Sequence, residues 1–425
     1  MMDMPRWLLV AISVLVLAWP ASCADPVLFP VAKDAATSLY TIPIRDGANH
    51  VIDLAGPLLW STCAADHLPA KFTCQDKECK LAATAYRPPS CHVGGQQCTQ
   101  QQQRCAAYPY NPVTRRCAAA RLAHTRLVAN TTDGANPLRQ VSVRAVAACA
   151  PRKLLARLPR DAAGVAGLAA SGLALPAQVA ASQRVAGKFL LCLPRNAGGE
   201  GVAIFGGGPL FLMTSTAPPV EVASDFTSSL TYTPLVSRRG SSSYYLPVTA
   251  IAVDTVQVSL PKDALAGGVV LGTTAAYTEL RPDVYGPVVG AFDRTLRRSW
   301  NNTKRVAAVA PFELCYDSKT LPGPTRIGWL VPEIVLVLEG GRKTNWTFGG
   351  LNTMVDVNGF TAACFGFVKM KPEKNGGYGG KPAVVLGGFQ MEDHVLHFDL
   401  EKRRLGFARL PVFTSCSNFN FTRKG

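Results

Sequence analysis

Short strand-like runs separated by turn residues constrain this chain more than any other feature of its sequence. Val, Ile, Leu, Tyr and Phe recur in runs of about four to eight residues, and Gly, Pro, Asn or Asp follows most of these runs. Residues 38–44, 244–253 and 394–400 are examples. One longer helical pattern begins at Pro282 and reaches Arg298. The sequence therefore predicts an all-β fold with a few short helices.

The two halves of the chain repeat one theme weakly. VIDLAGPLL at 51–59 and VVLGTTAAY at 269–277 are each a strand that ends in a turn of small or hydroxyl residues. A length of 425 residues also exceeds what one hydrophobic core usually serves. We predict two β-barrel-like lobes that face each other across a cleft, with an N-terminal lobe over residues 25–220 and a C-terminal lobe over residues 221–425.

Residues 1–24 have the pattern of a secretory signal peptide. Arg6 precedes an apolar run from Trp7 to Trp19, and small residues stand at Ser22 and Ala24. The run is short for a membrane span, and no other long apolar stretch follows. The sequence therefore predicts a secreted, extracellular protein without a membrane anchor.

Cysteines are the second constraint on the fold. The chain has 13, and removal of Cys23 with the signal peptide leaves an even number for an oxidising compartment. Zinc is the alternative, but the spacings lack the paired short knuckles of zinc sites. We predict disulfides, no metal and no cofactor. The cysteines are Cys63, Cys74, Cys79, Cys91, Cys98, Cys105, Cys117, Cys149, Cys192, Cys315, Cys364 and Cys416.

Four Asn-x-Thr sequons agree with export. They begin at Asn130, Asn301, Asn345 and Asn420, and each is a permissible glycosylation site in a secreted chain. The signal peptide and the sequons are independent features that indicate the same extracellular location.

The formal net charge of +16 limits the kinds of partner. Export argues against nucleic acid, and no aromatic and basic binding motif accompanies the clusters Arg297-Arg298 and Lys402-Arg403-Arg404. A solvated basic face is one interpretation. Attraction to something acidic outside the cell, such as a wall polysaccharide or an acidic protein cleft, is the other.

The order of segments across nearly the whole chain resembles the plant pepsin-like aspartic proteases. Residues 108–114 (YPYNPVT), 124–134 (HTRLVANTTDG), 312–321 (FELCYDSKTL), 354–359 (MVDVNG) and 387–407 carry the resemblance. They are similar to the branch that contains the TAXi-type xylanase inhibitors and the extracellular dermal glycoprotein-like proteins. The resemblance implies a bilobal pepsin-like fold.

The resemblance also implies two disulfides and leaves the others open. Cys192 is expected to pair with Cys416, and Cys315 with Cys364. The other eight cysteines are expected to pair locally, and Cys63 with Cys149 is one candidate.

Asp53 matches the first catalytic position of the family, but the second carboxylate is missing. Aspartic proteolysis needs two carboxylates that share one proton. Asp53 is followed by Leu54 and Ala55 where active members have a hydroxyl residue and Gly, and the second Asp position falls on Gly272. Tyr110, the expected flap tyrosine, precedes Asn111 and Pro112. We predict an inactive protease homologue whose lone Asp53 titrates ordinarily.

The resemblance implies an inhibitor of microbial endo-xylanases or related glycosidases, a role in plant defence. In the family a His in a Leu-Pro-His-Phe-Thr segment blocks the xylanase cleft, whereas this chain has Val412 before Phe413. A second contact loop at 322–330 offers Arg326, Ile327 and Trp329. We expect a monomer in the apoplast or cell wall. The alternatives are a non-inhibitory binding protein like dermal glycoprotein and seed basic globulins, and a residual aspartic endopeptidase.

Overall fold

The structure is a computed structural model, and a defined part of the chain is described. The described residues are 24–45, 47–62, 72–85, 91, 105–216, 218–220, 224–339, 344–373, 377–378 and 380–422. The predicted signal peptide up to residue 23, Cys63 and Cys98 lie outside them. In the described part of the chain, no helix is both long enough and apolar enough to span a bilayer.

In the first half of the chain, the described residues form twelve strands. They are β1 (Val27–Lys33), β2 (Tyr40–Arg45), β3 (Ala48–Asp53), β4 (Leu59–Thr62), β5 (Ala106–Ala107), β6 (Tyr110–Asn111), β7 (Arg116–Cys117), β8 (Ala120–Thr132), β9 (Pro137–Ala150), β10 (Ala162–Gly167), β11 (Lys188–Cys192) and β12 (Glu200–Phe205). Strands β1, β2, β3, β10, β4, β9 and β8 follow one another in the large sheet, and β8 pairs again with β1. These strands therefore close into a barrel.

The part of the second half that the structure describes adds sixteen strands. They are β13 (Thr231–Pro234), β14 (Tyr245–Leu246), β15 (Val248–Val253), β16 (Val256–Gln257), β17 (Val269–Leu271), β18 (Thr278–Leu280), β19 (Arg305–Val306), β20 (Cys315–Asp317), β21 (Ile334–Leu338), β22 (Asn345–Phe348), β23 (Met354–Val357), β24 (Ala362–Phe365), β25 (Phe367–Lys369), β26 (Val384–Leu386), β27 (His394–Asp399) and β28 (Arg404–Arg409). Strands β14 to β26 form three further sheets, whereas β13, β27 and β28 extend the large sheet beyond β11. Because strands from both halves share this sheet, the lobe boundary at residues 220 and 221 stays a prediction.

Helices are few, as the sequence predicts. They are α1 (Lys77–Thr84), α2 (Leu175–Gln183), α3 (Pro282–Ser299), α4 (Gly350–Thr353) and α5 (Gly388–Met391), with 3-10 turns at Arg152–Leu155, Ser318–Thr320 and Cys416–Asn418. In α3, Pro282 begins the helix, Asp283 lies in its first turn, and Arg297 and Arg298 lie in its last. Proline is favoured at the first position of a helix. The acidic side chain at the N-terminal end and the basic ones at the C-terminal end interact favourably with the helix dipole and stabilise this helix.

The largest hydrophobic core spans both halves. Phe189 of β11 stacks on Phe398 of β27 with ring centroids 4.4 Å apart, and Tyr244 packs on Phe398 at 5.0 Å. A buried ionic cluster lies nearby, where Glu392 accepts hydrogen bonds from Lys33 Nζ and Tyr40 Oη, each at 2.6 Å. Apolar packing and a buried ion pair together join the first strands to the last ones.

Candidate functional site

Asp53 lies at the end of β3, at the start of a tight turn. The Gly56 N–H donates to the Asp53 carbonyl oxygen at 3.1 Å, and the Ala55 N–H donates to Asp53 Oδ1 at 3.0 Å. The Leu168 N–H donates to the same Asp53 carbonyl at 2.8 Å. Asp53 is only 4% exposed. The strand end and the turn therefore hold one carboxyl group in a fixed, buried position.

The second half of the chain contains the equivalent turn. Strand β3 runs parallel to β10, which is antiparallel to β4, and β17, β26 and β18 have the same arrangement. Gly272 directly follows β17, and the Ala275 N–H donates to its carbonyl at 3.4 Å. Gly272 thus occupies the position equivalent to Asp53.

Thr273 joins the two turns. Its Oγ1 donates to the Ile52 carbonyl at 2.7 Å and accepts from the Leu54 N–H at 3.2 Å. Leu54 follows Asp53 as Thr273 follows Gly272, but it has no hydroxyl group. Its side chain therefore cannot make the matching hydrogen bonds from the first turn to the second. Ile52 and Leu54 flank Asp53, so the Gly272 turn lies beside the carboxyl group without offering it a partner.

A cavity of about 210 Å³ lies above Asp53. Its lining residues come from the first turn, strands β4 and β10, the β6 hairpin with the residues before it, and the second half of the chain. They are Asp53, Ala55, Gly56, Pro57, Leu58, Trp60, Tyr108, Tyr110, Pro112, Val165, Ser243 and Thr274. Among these residues, drawn from the part of the chain that the structure describes, Asp53 is the only acidic one. A carboxylate pair that could activate water is therefore missing from this cavity.

Burial raises the pKa of the Asp53 carboxyl to about 6, against the lowering effect of the Ala55 and Gly56 N–H groups. The expectation of an ordinary pKa was wrong. The missing like-charged neighbour removes one cause of a raised pKa, but desolvation alone disfavours the charged form. Asp53 therefore changes its charge near pH 6.

The hairpin of β6 and β7 covers the cavity and is anchored from below. Tyr110 lies over the cavity, and its carbonyl accepts a hydrogen bond from Trp60 Nε1 at 3.1 Å. Asn111 is fully buried, and its Nδ2 donates to the carbonyls of Leu154 at 2.6 Å and Ala156 at 2.9 Å. Its Oδ1 accepts hydrogen bonds from the two backbone N–H groups that come directly after Pro112 in the chain, each at 2.8 Å. These bonds hold the hairpin in one place.

The two segments with predicted partner contacts meet on the surface. The Arg326 guanidinium carbon lies 4.6 Å from the centre of the Phe413 ring. Ile327, Val412 and Phe413 are 42%, 46% and 47% exposed. Phe413 has a φ of 73°, an unusual conformation for an aromatic residue. We call Arg326, Ile327, Val412 and Phe413 the surface patch.

Trp329 does not belong to the surface patch, and its prediction as an exposed contact was wrong. It is 6% exposed and packs in the largest core. Its Nε1 donates to Asp356 Oδ1 at 3.0 Å. Trp329 therefore anchors the 322–330 loop from inside the protein.

Family comparisons place the chain unambiguously. The family model "Xylanase inhibitor N-terminal" matches residues 40–207, and "Xylanase inhibitor C-terminal" matches residues 243–409. The chain belongs to the TAXi-type xylanase-inhibitor family. This confirms the resemblance and the pepsin-like, all-β fold.

Three relatives show the range of names in this family. A rice protein (Oryza sativa subsp. japonica) named "Chitinase CLP" is 49% identical, with 93% of this chain and 92% of that protein covered. A "Probable aspartic proteinase GIP2" of Nicotiana benthamiana is 31% identical over 93% of this chain and 92% of its own. The crystal structure of "edgp" superposes with a TM-score of 0.80 at 32% identity, covering 95% of this chain and 100% of that one.

Disulfides of the TAXi-type chain include both pairs that the resemblance implies. Cys192 is bonded to Cys416 with Cα atoms 5.3 Å apart, and Cys315 to Cys364 with Cα atoms 4.0 Å apart. Two local pairs are Cys79–Cys105 and Cys91–Cys117. Cys74 and Cys149 are also disulfide-bonded. The pairing of Cys149 with Cys63 stays a prediction, because Cys63 lies outside the described residues.

The four sequon asparagines differ in exposure. Asn301 and Asn345 are exposed, whereas Asn130 and Asn420 are half-buried. The Asn420 side-chain nitrogen donates to Asn136 Oδ1 at 2.6 Å. Exposure favours Asn301 and Asn345 as glycosylation sites, and occupancy stays a prediction for all four.

Sequence reasoning missed part of the cavity wall. Trp60 and Tyr108 carry no motif that marks them as site residues, although both lie close in sequence to the predicted Asp53 and Tyr110. Ser243 gave no signal, because its approach depends on how the second half folds against the first. In the described residues, no group of three or more His, Cys, Asp or Glu side chains could hold a metal ion.

Proposed function

We propose that this protein acts by binding, as an inhibitor of a secreted glycoside hydrolase such as a microbial endo-xylanase. The observation that carries the proposal is the surface patch, where the Arg326 cation meets three exposed apolar side chains. A glycosidase cleft presents two carboxylates that a positive, protruding surface can approach. The family's name for its two matched domains supports this choice of target.

The charges favour such a target as well. A net charge of +16 accelerates encounter with an acidic cleft at low salt. Arg326 lies against the Phe413 ring, which supports its side chain in an exposed position. Val412 fills space but cannot donate a hydrogen bond, so in this proposal Arg326 supplies the charged contact that a histidine supplies in the family.

We further infer an exported, glycosylated protein that does not cleave peptide bonds. The disulfides support an oxidising compartment. Gly272 opposite Asp53 removes one of the two proton-transfer groups, which typically costs about 10²–10⁴ in rate. The anchored hairpin also lacks the freedom of a closing flap.

The test is residual activity of a panel of microbial xylanases, chitinases and glucanases mixed with the purified protein. Wild type should inhibit at least one of these enzymes. Arg326→Glu should weaken inhibition by about 10-fold or more, because a hydrogen bond to a charged group is worth about 1.5–3 kcal/mol. Arg298→Glu, the same charge change at the exposed end of α3, is the matched control and should have little effect. Equal inhibition by wild type and Arg326→Glu would contradict the proposal.

Val412→His separates two versions of this proposal. If only this variant inhibits xylanases, the target of the wild-type protein is an enzyme other than a xylanase. If wild type already inhibits xylanases, the 322–330 loop carries the contact.

A second candidate is hydrolysis of a chitin-type polysaccharide, favoured by the 49% identity to the rice protein named as a chitinase. Most glycosidases need two carboxylates, but some use an acetamido group of the substrate in place of one of them. Asp53, with a pKa of about 6, could then act as the acid. Release of sugars from chitin oligosaccharides by wild type but not by Asp53→Asn would support this candidate.

A further inference from the structure

The Asp53 carboxyl has no counter-ion. It takes part in none of the ion pairs of the described residues, and its only side-chain hydrogen bonds come from the backbone of its own turn. Burying a charge without a partner is costly. Proton uptake relieves this cost below the raised pKa of about 6. At neutral pH a cation bound in the cavity would relieve it instead.

Aromatic rings surround the space above this carboxyl. Trp60, Tyr108 and Tyr110 line the cavity, together with the apolar side chains of Pro57 and Leu58. Ring faces attract organic cations and also pack against hydrocarbon groups. The wall therefore suits a ligand with a charged end and an apolar body.

We propose that this cavity binds a small organic ammonium ion, a primary amine on a single ring or short hydrocarbon chain. The ammonium group pairs with the Asp53 carboxylate, and the apolar part packs against Trp60, Tyr108 and Tyr110. The cavity volume of about 210 Å³ lies below the usual range of about 300–1,000 Å³ for larger ligands, so the body of the ligand is about one ring in size.

Other ligand classes fit less well. An anion would be repelled by Asp53. A neutral ligand would leave the carboxyl without a counter-charge, and a metal ion would find only one carboxylate in the cavity lining. The lining residues include no Lys, Arg or His that would compete with the ligand for Asp53. This site is separate from the surface patch and does not depend on inhibition of a glycosidase.

Calorimetric titration with benzylamine tests the proposal, with benzyl alcohol as the neutral control of the same shape. At pH 7.5 wild type should bind benzylamine at least 10-fold more tightly than benzyl alcohol. Benzylamine stays protonated at pH 5, but Asp53 becomes mostly neutral there because its pKa is about 6. Affinity for benzylamine should therefore fall about 10-fold between pH 7.5 and pH 5.

Two variants make the test specific. Asp53→Asn should bind benzylamine at least 10-fold more weakly than wild type at pH 7.5, whereas Glu200→Gln, at an exposed acid of β12, should bind like wild type. The pH comparison on wild type needs no variant, so it tests the proposal independently of Asp53→Asn. Absence of binding at millimolar benzylamine, equal affinity for the alcohol, or a pH-independent affinity would each overturn the proposal.

Discussion

Replacement of Asp53 by Asn should stabilise the protein at neutral pH. The ionised Asp53 carboxylate is buried without a counter-ion, whereas an asparagine amide carries no charge and can still accept the hydrogen bond from the Ala55 N–H. The benefit depends on pH, because the wild-type carboxyl loses its charge, and with it the cost of burial, as the pH falls.

The magnitude follows from the two pKa values. Folding raises the pKa of Asp53 from its usual 3.8 to about 6. Its contribution to stability is therefore greatest below pH 3.8 and is lost as the pH rises to 6. A difference of one pKa unit is worth about 1.4 kcal/mol, so the full loss is about 3 kcal/mol. The variant avoids this loss and should gain less than about 1 kcal/mol at pH 4 but about 3 kcal/mol at pH 7.5.

Urea unfolding of wild type and Asp53→Asn at pH 4, 5, 6 and 7.5 measures this difference. Other titrating groups, such as His394 with a pKa lowered to about 4 by burial, contribute equally to both proteins and cancel. The difference in unfolding free energy should rise with pH and level off above pH 6. A constant difference, or a variant that is less stable at pH 7.5, would refute the claim that the lone carboxyl is desolvated.

Three further substitutions test other parts of the account. Gly272→Asp should leave the protein without peptidase activity and cost about 1–3 kcal/mol in urea unfolding, because a Cβ at this position would lie 2.8 Å from Val385 Cγ1. Restored pepsin-like turnover in this variant would show that the missing carboxylate alone accounts for the inactivity, without a contribution from Leu54 or the anchored hairpin. Asn111→Asp replaces an amide donor with an oxygen that faces two carbonyls. Backbone amides in residues 108–117 should therefore exchange hydrogen faster. Unchanged exchange would show that other contacts hold the hairpin. Glu392→Gln leaves Lys33 without its buried counter-ion and should lower the unfolding free energy by about 3 kcal/mol. A variant as stable as wild type would contradict this prediction.

The sequence predicts the strand framework well, because hydrophobic period and turn residues are local signals. The strand that ends at Asp53, the long α3 helix and the strands at the C-terminal end lie where the patterns indicate. From residue 164 to residue 176 the sequence is one apolar run, but the strand ends at Gly167 and α2 begins at Leu175. A short buried helix and a buried strand have similar composition, so the apolar run alone could not separate them.

The candidate site was predictable in position but not in electrostatics. Family motifs locate Asp53 and Gly272, yet the pKa of Asp53 depends on its burial in the folded chain, which the motifs do not show. The loop at 322–330 shows the same limit. Sequence identified Arg326 and Trp329 as equivalent candidates, and only the fold reveals that Asp356 and the core hold Trp329 inside while Arg326 stays outside.

Peptide-bond cleavage is the measurement that tests the central claim, a pepsin-like cleft whose described lining residues include one carboxyl group and no second acid. A denatured protein substrate should be incubated with wild type and with Asp53→Asn across pH 3 to 6. We expect the same background rate for both proteins and no effect of an active-site inhibitor of aspartic proteases. Turnover by wild type that this inhibitor blocks and Asp53→Asn abolishes would contradict the account.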